Sequence, residues 1–119
     1  THDYELIRAA ARAVAAELAA IGFNLNFAPV LDVDSNPDNP VIGDRAFGRD
    51  PRTVMRAGVA FMQGLQDRNV LACGKHFPGH GDTSQDSHLQ LPRLPHPMDR
   101  LERVELVPFQ AAMGPAMGP

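Results

Sequence analysis

Apolar residues recur at three- and four-residue steps near the start of the chain. Leu6, Ile7, Ala10, Val14, Leu18 and Ile21 share one face of a helix over residues 3–21, with Arg8, Arg12 and Glu17 mainly elsewhere. Asp3 fits its N-cap and Gly22 its C′ position. Phe23–Val33, rich in Phe, Leu and Val, reads as a buried strand. The polar stretch Asp34–Asp50 is long for a connection without regular structure, the kind of loop that carries function or disorder. Asp50-Pro51 then opens a second helix, with Asp as cap and Pro at the first helical position. Val54, Gly58, Phe61 and Leu65 form its apolar stripe, and Asn69 marks its expected end. Val70–Lys75 is a short second strand. A third helical segment runs from Asp99 to about Met113. Asp99 and Glu102 have the spacing of a capping box, and Pro108 must kink the helix or restart it.

A strand, a helix and another strand in this order predict an α/β fold with a parallel βαβ unit. Both polar loops leave the C-terminal ends of strands, where α/β sheets and barrels place their active sites. Two strands cannot close a barrel or cover both faces of a sheet, so the chain reads as an excerpt from a larger fold. The absence of an initiator Met and of a signal-like start agrees with that expectation. A length of 119 residues is room for one modest domain. The net charge of -3 argues against a nucleic-acid partner, and the lack of a long apolar run argues against a membrane-spanning one. Cys73, the single cysteine, has no internal partner, which points toward a reducing, cytoplasmic setting; it is expected to pack as a small core residue. Residues 1–113 are expected to form the folded portion, and the Gly-Pro-rich 114–119 an irregular tail.

The chemistry concentrates in Gly74–His88, which holds three of the five histidines, two aspartates and a lysine on a turn-rich backbone. In Asp86-Ser87-His88, residues two apart face the same side if the segment is extended. A carboxylate there can orient an imidazole, making His88 a candidate acid/base and Asp86 its partner. Asp-x-His is common in solvated loops, where Asp86 would merely cap a turn; within this cluster the catalytic reading is preferred. Lys75 and His76 end the second strand and suit neighbouring hydroxyls, as on a sugar. Pro78-Gly79-His80-Gly81 is turn chemistry, with His80 in a supporting role, and Asp82 and Thr83 are expected to form a local turn.

His76, His80, Asp82, Asp86 and His88 could each ligate a metal. However, the spacing of His76 and His80 crosses Pro78 and Gly79 and is not that of a helical zinc pair, so neither metal nor cofactor is expected. In the first loop, Arg45 can fork onto two oxygens of a ligand, or else pair with Asp44 or Asp50. Asp32 and Asp34 end the first strand and could bind hydroxyls or orient Arg45; for Asp34 a turn is preferred, and for Asp50 a helix cap.

Lys75-His76-Phe77-Pro78-Gly79-His80-Gly81-Asp82-Thr83, followed by Asp86-Ser87-His88, closely resembles the signature of bacterial β-N-acetylglucosaminidases of glycoside hydrolase family three. Phe27–Val33 and Asp44–Pro51 resemble the same family's preceding strand and loop. The resemblance implies part of a TIM (β/α)8 barrel, incomplete in this chain. It implies release of terminal, non-reducing N-acetylglucosamine from glycans or muropeptides, typically in peptidoglycan recycling. His88 becomes the acid/base and Asp86 its partner, while Arg45, Lys75 and His76 carry over as sugar-binding positions and Asp32 matches the strand motif.

The implied reaction is retaining. A nucleophilic Asp attacks the anomeric carbon while His88 protonates the leaving oxygen, and His88 then activates water. That Asp lies in a Ser/Thr-Asp-Asp-like motif on a later strand, and no such motif occurs in these residues. The chain by itself is therefore expected to be inactive and to need the rest of the barrel. A phosphorylase and a non-catalytic sugar-binding piece are the alternative expectations.

Overall fold

The computed structural model describes residues 3–83 and 93–114. Helix α1 spans Tyr4–Ala20; the Asp3 carboxylate accepts from the Leu6 N–H at 3.0 Å, and Gly22 takes a φ of +92° just beyond the last turn. Helix α2 spans Pro51–Gln66, and Asp50 Oδ2 accepts from the N–H and the hydroxyl of Thr53 at 2.8 and 3.0 Å. Those bonds, the N–H first, hold the Asp50 carboxyl below its usual range. The helix stops before Asn69, which adopts a φ of +59°.

The apolar stripe of α2 falls as its spacing predicts: Val54, Gly58 and Leu65 are buried, and Phe61 is half-buried. The stripe of α1 does not. Its buried residues are Ala11 and Ala15, whereas Leu6 and Ile21 are 65% and 72% exposed. Proximity explains the difference. A Cβ added at Gly64 would come within 2.6 Å of the Ala11 Cβ, so α1 meets α2 through its small residues. Arg8, expected on the polar side, belongs to this seam: its Nε and Nη2 each reach the Asp67 carboxylate at 2.8 Å. That fork raises the Arg8 pKa and lowers that of Asp67.

Strands β1 (Leu25–Asn26) and β2 (Leu71–Ala72) pair in parallel, Leu25 opposite Leu71 and Asn26 opposite Ala72. The long strand expected over Phe23–Val33 is thus regular for only two residues, although backbone bonds continue to a parallel bridge between Val30 and Lys75. Pro29 lacks an N–H and cannot sustain the ladder. Ala72 packs toward Ala15, Leu65 and Val70 beneath the helices. Its neighbours in the alternation point away, leaving Leu25 41%, Phe27 66% and Leu71 63% exposed. Cys73 shares that parity, so it is exposed rather than a core residue.

The expected third helix is two short ones. Helix α3 spans Met98–Arg103 and α4 spans Val107–Ala112; Pro108 sits in the first turn of α4, where its missing N–H costs nothing. Pro97 precedes α3 without a side-chain cap. Asp99 forms no capping box and instead pairs with Arg103 one turn on, at 2.9 Å. Among the described residues no helix is long and apolar enough to cross a membrane.

Candidate active site

Asp32 organises the loop above the strand ends. It is fully buried, and Oδ1 accepts from the His80 N–H at 2.6 Å. The His76 N–H lies 3.3 and 3.2 Å from Oδ1 and Oδ2, and His76 Nδ1 lies 2.6 Å from Oδ2. On the other edge of that ring, Arg45 Nη2 stands 3.4 Å from Nε2. A guanidinium only donates, so Nε2 is the acceptor and the ring proton sits on Nδ1, facing Asp32. The arrangement fixes both the tautomer and the plane of His76.

Asn39 ties the first loop to the second. Its amide nitrogen donates to the carbonyls of His80 at 2.7 Å and Gly81 at 3.2 Å, and its oxygen accepts from the N–H groups of Val41 and Ile42, both at 2.8 Å. Gly81 lies directly on the Val33 backbone, with no room for a Cβ. The Thr83 hydroxyl donates to the His80 carbonyl at 3.0 Å and contacts His80 Nδ1, while the buried His80 Nε2 has no hydrogen-bond partner among the described residues. His76, His80, Thr83 and Leu94 help line a cleft of about 280 Å³.

The loop's far end is held differently. Gly81 and Asp82 sit in a turn, as expected, but the Asp82 carboxylate is engaged away from that turn. Its Oδ2 lies 2.5 Å from His96 Nε2 and 3.6 Å from Arg100 Nη2, which also donates to Glu105 at 3.0 Å. Oxygen or nitrogen atoms of Asp82, His96 and Glu105 lie within 4.8 Å of one another, a spacing that could hold a cation. The Arg100 guanidinium already supplies positive charge there.

The structure therefore gathers Asp32, Arg45 and His76 at one point. Arg45 is exposed and pairs with neither Asp44 nor Asp50; Nη1 donates to the Val41 carbonyl at 3.2 Å. Asp32 is turned inward and positions His76. Lys75 carries the last strand bridge, and its half-buried side chain has no ion-pair partner among the described residues. Asp34 accepts from Arg49 at 3.2 Å rather than orienting Arg45. The candidate dyad Asp86 and His88 lies outside the described residues. Asn39, His96, Arg100 and Glu105 were not among the sequence candidates. Their partners are distant in the chain, and nothing in their local spacing marks them.

A parallel strand–helix–strand unit, with its polar groups on loops at the strands' C-terminal ends, fits a portion of a TIM-barrel-type α/β domain. Residues 1–118 match the glycosyl hydrolase family 3 N-terminal domain, and the chain belongs to that family. A β-hexosaminidase of Thiobacillus denitrificans is 45% identical over 119 residues, covering 94% of this chain and 33% of that protein. A family 3 β-N-acetylglucosaminidase from Paenibacillus sp. str. FPU-7 superposes with a TM-score of 0.91 at 52% identity, over 92% of this chain and 21% of that one. NagZ from Neisseria gonorrhoeae, in complex with N-trifluoroacetyl-D-glucosamine, gives 0.81 at 43% identity, over 90% of this chain and 32% of that one. The chain thus spans about a third or less of the length of these relatives.

Proposed function

We propose that this chain is the acid/base-bearing portion of a retaining β-N-acetylglucosaminidase. The observation that carries the reading is the Arg45–His76–Asp32 arrangement: an exposed guanidinium beside an imidazole whose outer nitrogen accepts, with the imidazole locked from below by a buried carboxylate. A fixed fork beside a fixed imidazole suits vicinal hydroxyls of a terminal sugar. In this reading Arg45, Lys75 and His76 hold the sugar and Asp32 positions His76. His88, oriented by Asp86, protonates the leaving oxygen and later activates water. The nucleophile comes from a strand beyond these residues, so the chain alone does not turn over. The bare apolar strand face of Leu25, Phe27 and Leu71 supports the need for further barrel strands. Muropeptides of cytoplasmic peptidoglycan recycling are the substrates this reading favours.

The test compares the complete barrel protein and this chain on an aryl β-N-acetylglucosaminide. Turnover by the complete protein, lost in His88→Ala, is the expected result. Turnover by this chain alone would overturn the division of labour, and faster turnover in phosphate than in phosphate-free buffer would favour a phosphorylase.

A further inference from the structure

We propose that Asp82 and His96 are positioning residues for the acid/base step, tying together the two ends of the stretch that carries Asp86 and His88. The inference rests on the reading above for the role of His88. Asp82 precedes that stretch and His96 follows it, yet Asp82 Oδ2 and His96 Nε2 stand 2.5 Å apart with both side chains mostly shielded, at 23% and 22% exposure. The tie is backed from behind. Arg100, on α3, bridges Asp82 and Glu105 at 3.6 and 3.0 Å. Glu105 is 2% exposed, and its stem packs against Gly79, where an added Cβ would come 3.0 Å from the Glu105 Cβ. One network therefore joins the turn at Gly79, the residue before the dyad stretch, the residue after it, and the α3–α4 corner.

Closing a loop at both ends removes many of the positions its middle can sample. An acid/base group must stand within hydrogen-bond reach of the leaving oxygen, and a small misplacement costs much of its effect. None of the four network residues needs to touch the sugar for this purpose.

The test uses the complete barrel protein and the variants His96→Ala, Asp82→Ala, His96→Gln and, as a control, Arg93→Ala on the exposed surface. Two substrates separate positioning of the proton donor from general damage. A 2,4-dinitrophenyl leaving group departs without protonation, whereas a 4-methylumbelliferyl group draws more on the acid. For the two Ala variants, kcat/KM on the methylumbelliferyl substrate should fall on the order of 10- to 100-fold, with less than about threefold loss on the dinitrophenyl substrate. His96→Gln, which keeps a donor for Asp82, should recover most of that loss.

Hydrogen exchange supplies a second reading that is independent of turnover: amides of residues 83–95 should exchange about tenfold faster in His96→Ala than in the control. Equal losses on both substrates, or unchanged exchange, would overturn the proposal. Failure of the function reading looks different: the unaltered protein would turn over neither substrate, or His88→Ala would be fully active, while the exchange comparison would still decide whether the tie exists.

Discussion

Two aspartate–histidine pairs flank the same loop, and they are built differently. Asp32–His76 lies at the root, where the carboxylate is fully buried and also takes the N–H groups of His76 and His80. Asp82–His96 lies at the far end, where both partners are about a fifth exposed and an arginine stands behind. The root pair sets backbone and imidazole together, so it defines the shape of the site. The far pair joins two side chains 14 positions apart, one on each side of the stretch that carries Asp86 and His88. A buried acceptor serving several donors cannot be lost cheaply, whereas a partly solvated pair can be replaced by water.

The largest effect should follow from Asp32→Ala. It strands a buried N–H and leaves His76 without its orienting carboxylate, costing ~3 kcal/mol of stability. Losing the orientation of His76 should also lower kcat/KM about 100-fold. Urea denaturation and initial rates on the complete protein would check both. A stability loss no larger than that of Asp82→Ala would break the distinction between the pairs. Gly81→Ala comes next, because the Val33 backbone leaves no space for the methyl group; a loss of about 2 kcal/mol in the same denaturation series is expected.

Arg45→Lys keeps the charge but loses the fork. KM should rise about tenfold, with stability changed by less than about 0.5 kcal/mol. A KM that does not move would remove Arg45 from sugar binding and leave the root pair a purely structural device.

The smallest effect lies away from the loops, at Asp67. Its carboxyl is held below the usual carboxylate range, chiefly by the hydrogen bond from Arg8. A depressed folded value means that this contribution is complete above the unfolded value near 3.8 and is lost as pH falls through the lower folded value. Denaturation midpoints should therefore decline in that acid window, and Asp67→Asn should flatten part of the decline.

Helices α1 and α2 and the order of the first strands and helices were legible because their signals are local. Asp3, Asp50-Pro51 and Gly22 announce boundaries by the chemistry of neighbouring residues, and the α2 stripe follows one period. The face of α1 was misread for a physical reason. Hydrophobicity alone chose Leu6 and Ile21, but close approach to Gly64 selected Ala11, and packing against Leu65 and Val70 selected Ala15. In the site, Arg45, His76 and Asp32 could be named from their residue types and strand-end positions. Which of them faces outward could not, because that depends on pairing across 44 residues between Asp32 and His76. Asn39 and His96 were silent for the same reason: a lone Asn or His has no meaning until a distant carbonyl or carboxylate stands beside it.

The sequence by itself determined the βαβ order, the caps of α1 and α2 and the clustering of polar chemistry on two strand-end loops, since each follows from short-range periodicity and turn preference. Only the tertiary structure decided that Asp32 points inward beneath His76, that Cys73 and Phe27 share an uncovered strand face, and that Asp82 reaches across to His96. Those outcomes depend on which distant groups the packed strands and helices bring within a few ångströms, and local residue patterns do not encode that distance.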